Sequence, residues 1–133
     1  MAFKAKIHIE GHSTAQNGIP IRAFSFTFSQ TIGQTGQPIS KVNGGIMDIS
    51  IQDLNDYDIY QWMFNQNAKK KGKIVLTSEE EAGKSFQTVE FTDAVLVSYS
   101  QSFNEVTGVI ADLTISCREM DISGASFMNI WSA

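Results

Sequence analysis

The chain contains 133 residues, 42% of them hydrophobic, which fits a single globular domain with a core of its own. Its formal net charge is −4 and its pI is about 5.0, so it lacks the basic surface that nucleic-acid-binding proteins use. One cysteine excludes an internal disulfide bond, and no apolar run approaches the ~18 residues that a membrane-spanning helix needs.

The N-terminal segment does not have the pattern of a cleaved signal peptide. Lys4, Lys6, His8 and Glu10 interrupt its apolar residues, so no continuous apolar signal core can form. We therefore expect the protein to be made and folded in the cytoplasm and not to insert into a membrane. If it leaves the cell, we expect a route that needs no cleaved signal.

Three segments in the first half of the chain alternate between apolar and polar residues, with the two-residue period of a half-buried strand. The aromatic side chains of the second segment are predicted to face the core. Its other face is small and polar, which suits a wet cavity or a contact with a neighbouring subunit. The predicted core-facing residues are Phe3, Ala5, Ile7 and Ile9, then Phe24, Phe26 and Phe28, and then Met47, Ile49 and Ile51.

A long polar loop separates the second of these segments from the third. Its glycines and Pro38 stand among Gln, Thr, Ser and Asn, a composition that supplies turns and no catalytic groups. A loop of this length in a compact domain is usually functional or disordered. The loop carries few charges, and apolar Ile32, Ile39 and Val42 lie along it. This suits contact with another protein surface; a simple surface connection is the alternative.

One helix is predicted after the third strand. Asn55 is the predicted N-cap, and the carboxylates of Asp56 and Asp58 would stabilise the first turn. Lysines 69–71 followed by Gly72 form a common helix-ending pattern. An amphipathic helix this short must bury its apolar face against the sheet. The residues predicted to anchor it are Ile59, Trp62 and Met63.

The rest of the chain is predicted to be strands. Residues 73–78 and 85–92 flank an acidic tip and form a hairpin, and Asp93 begins another strand. This strand is predicted to place Val95, Val97 and Tyr99 on one face. In the last strand, Leu113, Ile115 and Cys117 share a core-facing side. The apolar phase then changes near residues 118–119, which predicts a bulge or a strand that swaps faces.

No cluster of polar residues predicts an active site or a bound metal. His8 and His12 lie four residues apart at the end of a strand, which does not place them on one helix face. The acidic residues near the helix are explained by capping, and those at the hairpin tip by solubility. Cys117 is predicted to be a buried, unreactive thiol. We therefore expect no enzymatic activity, cofactor or metal.

The loop pattern GQP-x-S-x-V-x-GG, followed by an alternating strand, resembles the tube protein of type VI secretion systems, the haemolysin-coregulated protein family. The version found in Bacteroidetes is the most similar. Further matching segments occur in order along nearly the whole chain: MAFKAKI, IYQWMFN, GKIVLTSEEEAGK, FTDAVLVSYSQSFN, LTISCREMDI and a short tail ending with Trp131. Gln37 stands where the family pattern has a basic residue, so a tube protein of a related contractile injection system stays open.

The resemblance implies a mainly β fold, a barrel of two packed sheets with one flanking α-helix, formed by residues 1–133 as one tube-forming domain. It implies homohexameric rings stacked into a tube, with sheath, spike and baseplate proteins as partners and effectors in the lumen. Secretion would follow assembly. The loop would contact a neighbouring subunit or ring. Its predicted contact residues are Ile32, Gln37, Pro38, Ile39, Val42, Gly44 and Gly45.

A second interpretation is a monomeric carbohydrate- or peptide-binding β-module. Such a module needs an exposed aromatic platform, and most aromatic residues here occupy apolar-periodic positions. A mass measurement in solution separates a ring from a monomer.

Overall fold

The computed structural model describes residues 3–11, 17–66, 68–79 and 84–129. Within these ranges the chain forms eight β-strands and one α-helix. In chain order they are β1 (Phe3–Ile9), β2 (Ile19–Ile21), β3 (Ala23–Phe26), β4 (Ile46–Gln52), α1 (Tyr57–Phe64), β5 (Lys70–Ser78), β6 (Ser85–Asn104), β7 (Gly108–Ile122) and β8 (Ala125–Met128).

The strands are hydrogen-bonded in one antiparallel sheet that curls into a barrel. Their order is β2-β1-β5-β6-β7-β4-β3, with β8 beside β7. The two ends of this order, β2 and β3, are consecutive in the chain and separated by Arg22 alone. The Arg22 amide donates a hydrogen bond to the carbonyl of Ser50 in β4, at 2.9 Å. The chain itself therefore joins the two edges of the sheet and brings it close to full closure.

The core lies on the inner side of this sheet. The alternation predicted for β4 is present, since Met47, Ile49 and Ile51 are buried, and in β1 it holds for Ile7 and Ile9. The predicted core position of Phe3 is wrong: at the start of β1 it is 42% exposed and packs against the Phe86 ring, 5.2 Å away. The three phenylalanines at positions 24, 26 and 28 are partly buried and pack against the same core. The predicted mainly β fold with one flanking helix is confirmed.

The strand break predicted at Asp93 is wrong, because β6 continues through it for 20 residues. Asp93 takes a left-handed φ of 51°, which shifts the apolar phase of the strand without ending it. Its neighbour across the sheet, Arg118, approaches the Asp93 carboxylate to 3.4 Å. The phase of β7 changes at the same level, between buried Cys117 and buried Met120. The predicted change of phase is thus present, and both long strands make it together.

The predicted shared face of Val95, Val97 and Tyr99 is also wrong. Buried Leu96 lies on the core side, whereas Val97 is 49% exposed. The pairing between β6 and β7 shifts by one residue between Leu96 and Ser98, so the alternation before Val97 differs from that after it.

The helix boundaries also differ from the prediction. Asp56, not Asn55, is the N-cap, and its side-chain oxygen accepts a hydrogen bond from the Ile59 amide at 3.1 Å. The predicted ending at residues 69–72 is wrong, because α1 ends at Phe64 and Lys70 already belongs to β5. Gly72 serves packing, since a side chain there would collide with the backbone of β1 and the Phe91 ring.

The helix lies beside the part of β6 that has no β5 residues opposite it. β5 pairs with β6 as far as Ala94, and α1 packs beside the remainder of β6. The Tyr60 and Tyr99 rings meet edge to face at 5.4 Å, and both hydroxyls donate hydrogen bonds to Gln101 Oε1. The helix therefore takes the place of a missing strand along β6.

Candidate assembly surface

Residues 29–43, named here the arm, form a hydrogen-bonded hairpin that extends from the ends of β3 and β4. Ser29 and Asn43 exchange two backbone hydrogen bonds at its base, at 2.9 and 2.7 Å. Further along, the Ile39 amide donates to the Thr31 carbonyl at 2.8 Å, and the Gly33 amide donates to the Gln37 carbonyl at 2.9 Å. The predicted polar loop is thus an ordered projection with a ladder of its own.

The arm exposes apolar side chains. Ile32 is 62% exposed and Ile39 is 68% exposed, and Val42 is also exposed. Gln37 and Pro38, at the far end of the hairpin, are exposed as well. Apolar side chains grouped on a projecting surface are typical of a protein–protein contact. Their contact with a neighbouring subunit stays a prediction.

The base of the arm is fixed inside the subunit. Gly44 lies against the Phe28 ring, and buried Gly45 has a left-handed φ of 86°. The Gly45 carbonyl accepts a hydrogen bond from the Cys117 amide at 2.7 Å. The side-chain amide of Asn129 donates to the carbonyls of Gly44 and Cys117 at 3.0 and 3.1 Å. Both glycines therefore make packing contacts or hydrogen bonds within their own subunit. Their contact with a neighbouring subunit stays a prediction.

Small polar side chains cover the outer surface of β3, β4, β7 and β6, named here the polar face. Because of the strand register, these side chains line up in rows that cross the four strands. Within one row, Thr114 donates a hydrogen bond to Asp48 at 2.7 Å. Such hydroxyl and carboxylate groups stay hydrated, and exposed Ile46 at the start of β4 is the large apolar side chain beside them. The two central rows are Ser25, Asp48, Thr114 and Ser98, and Ala23, Ser50, Asp112 and Ser100.

The residues predicted to anchor the helix lie on its inner side. Ile59 and Trp62 are buried, and Met63 is half-buried against the core. The Trp62 ring nitrogen donates a hydrogen bond to the Ala68 carbonyl at 2.9 Å, which also ties down the chain that follows the helix. Their energetic contribution stays a prediction.

Cys117 is completely buried, as predicted, and burial raises the pKa of its thiol to about 12. Such a thiol is protonated near neutral pH and a poor nucleophile. Within the described ranges, no group of three or more His, Cys, Asp and Glu is arranged to hold a metal ion. His12, the acidic hairpin tip at 80–81 and Trp131 lie outside the described residues. No described helix is long and apolar enough to cross a membrane.

The described residues thus form a nearly closed barrel with an exposed apolar arm and a largely polar outer face. A family model described as haemolysin-coregulated protein Hcp (TssD) matches residues 1–132. The chain therefore belongs to the Hcp family, the tube proteins of type VI secretion systems. Members of this family form hexameric rings and are secreted by that system.

Solved structures share this fold over nearly the whole chain. Hcp1 from Flavobacterium johnsoniae has a TM-score of 0.84 at 20% identity, covering 95% of this chain and 99% of its own. Hcp1 from Salmonella typhimurium has a TM-score of 0.72 at 14% identity, with 96% and 92% covered. Hcp3 from Pseudomonas aeruginosa has a TM-score of 0.63 at 14% identity, with 99% and 100% covered. No curated protein matches the chain.

Proposed function

We propose that this tube subunit forms homohexameric rings, that the rings stack inside a contractile sheath, and that the tube carries effectors to a target cell. The arm is the observation that carries the proposal. It projects from the barrel, is held in one conformation by its own hydrogen bonds, and presents Ile32 and Ile39 to solvent. Exposure of these apolar side chains to water is unfavourable, and burial against a neighbouring subunit would remove that unfavourable exposure.

The polar face is the surface proposed to line the lumen. Apart from Ala23, the side chains of its two central rows are hydroxylated or acidic, and all are short, so they would hold water and leave the channel open. Cargo would then meet a surface with little apolar area, which favours its release. Sheath, spike and baseplate proteins are the proposed external partners. The whole chain, residues 1–133, acts as one tube-forming unit.

Ring formation is tested by native mass spectrometry and negative-stain electron microscopy of the purified protein. The expected mass is close to six times the 14.7-kDa mass of the chain, with ring-shaped particles. A monomer at every concentration would refute the ring and favour a binding module.

Effector carriage is tested separately with Asp112→Lys on the polar face. Asp112 is exposed on β7 and does not belong to the core. Rings should persist, while the set of proteins that co-purify from the native host should change. Unchanged cargo would contradict the assignment of this face to the lumen. Loss of rings would place the face at a subunit contact.

A further inference from the structure

The central part of the polar face carries charge of one sign. It consists of β3, β4 and the stretches that pair beside them, residues 108–116 of β7 and 95–104 of β6. These stretches contain two charged residues, Asp48 and Asp112, and neither lysine, arginine nor histidine. Both aspartates are exposed. The central part of the polar face is therefore acidic and otherwise uncharged.

The two aspartates are neighbours across β4 and β7. Asp48 is opposite Thr114, and Asp112 is opposite Ser50, so the two carboxylates are diagonal to each other on one side of the sheet. Diagonal neighbours in an antiparallel pair lie about 7–8 Å apart. Both line an open cavity of about 190 Å³, together with Ser25, Ser50 and Thr114. The carboxylate and hydroxyl oxygens of this lining can accept hydrogen bonds from an ammonium or guanidinium group.

No cation of the described residues forms an ion pair with either aspartate. Asp48 accepts its hydrogen bond from the neutral hydroxyl of Thr114. Carboxylates elsewhere on the barrel are neutralised by ion pairs, which are Lys4–Glu79, Lys71–Glu10 and Arg118–Asp93. The negative charge of the polar face is thus left for a partner from outside the subunit.

The proposed ring would repeat this acidic face around one axis. Carboxylates from six copies would then act on the same enclosed space, and a wall of one sign with low-dielectric protein behind it strengthens the local field. One exposed ion pair contributes little by itself. A partner that meets the acidic face of several subunits at once gains several such contacts, so the ring can distinguish partners that a single subunit cannot.

From these observations we infer that the polar face selects cargo by charge, and that the cargo is a protein whose surface is rich in lysine and arginine. This inference rests on the proposed tube and names the chemical class of its cargo. Acidic proteins and nucleic acids are repelled by the same wall. Because the carboxylates are exposed and screened by salt, the cargo is held reversibly.

Two peptides of equal length test this selection on purified rings. One alternates lysine with serine, the other alternates glutamate with serine, and both carry the same uncharged fluorescent dye. Fluorescence anisotropy should show binding of the basic peptide alone. Raising the salt from about 0.1 M to about 1 M shortens the screening length from about 10 Å to about 3 Å, so it should weaken this binding several-fold. Equal binding of the two peptides would overturn the inference.

Charge-removing variants locate the binding on the polar face. Asp48→Asn/Asp112→Asn keeps the size of both side chains and should lose binding of the basic peptide. The matched control is Glu10→Gln/Glu79→Gln, which removes the same charge from exposed positions outside the polar face and should keep that binding. Full binding by the Asp48→Asn/Asp112→Asn variant, or equal loss in the control, would overturn the inference.

Charge reversal adds a gain of binding, which a misfolded subunit cannot produce. Asp48→Lys/Asp112→Lys rings should bind the acidic peptide and release the basic one. Absence of this reversal in intact rings would contradict selection by charge.

Native mass spectrometry of each protein separates this inference from the proposed function. Hexamers of the original protein that do not bind the basic peptide would overturn charge selection and leave the tube subunit intact. A monomer at every concentration would refute the proposed function, and the inference with it.

Discussion

Replacing Ile39 with aspartate should abolish higher assembly while sparing the fold. Ile39 is 68% exposed in the subunit, so about two-thirds of its side chain is available for burial by a partner. Full burial of an isoleucine contributes about 1.5–3 kcal/mol, which gives about 1–2 kcal/mol for this exposed part. The new carboxylate adds a desolvation penalty of its own at a buried contact. Across six equivalent contacts the loss is at least roughly 6–12 kcal/mol per ring.

The free energy of unfolding of the variant subunit should stay within about 0.5 kcal/mol of the original value, because an exposed side chain contributes little to subunit stability. Melting by circular dichroism, sedimentation velocity and electron microscopy measure the two effects separately. Ile46→Asp is the matched control, since Ile46 is also an exposed isoleucine but stands on β4 outside the arm. Unfolding of Ile39→Asp would mean that the arm belongs to the subunit's own core. Normal rings, stacking and secretion would mean that the arm is only a surface connection.

Three further changes test the interior. Trp62→Ala should cost about 3–5 kcal/mol of subunit stability, because Trp62 is buried. Trp62→Phe should lose mainly the hydrogen bond of the ring nitrogen, about 1 kcal/mol. Equal melting temperatures of the two variants and the original protein would show that the helix does not depend on this side chain. Cys117, whose pKa is raised to about 12, should react slowly with a maleimide at pH 7 and rapidly in denaturant; fast native labelling would contradict its burial. Gly45→Ala should destabilise the subunit far more than Gly36→Ala. Both residues have a left-handed φ, but only Gly45 is crowded by neighbouring atoms. Equal losses of unfolding free energy in the two variants would show that backbone strain alone causes the effect.

Several parts of the fold could be read from the sequence because the cause is local. The two-residue alternation of β4 reflects one strand facing one core, and all three predicted core residues are buried. Family resemblance supplied the architecture that alternation alone leaves open between a barrel and a sandwich.

Other parts depend on residues that are distant in the chain, so no local pattern could reveal them. Gly72 follows three lysines and therefore resembles a helix end. Its lack of a side chain instead allows β1 and the Phe91 ring to pack closely against it. Asn129 gave no signal, since its partners Gly44 and Cys117 are 85 and 12 residues away. The internal pairing of the arm was hidden because its glycines and polar residues suggest an irregular loop.

The pairing of β4 with β7 has a consequence for synthesis on the ribosome. β4 ends at Gln52, and its partner β7 begins at Gly108, so a nascent chain carries β4 with that edge unpaired while the intervening residues are made. At typical elongation speeds this interval lasts roughly 3–11 s. During that time an open β edge and the apolar arm are exposed together, a combination prone to aggregation. The edge of β4 that faces β7 is therefore completed only when one of the last strands of the chain has been made.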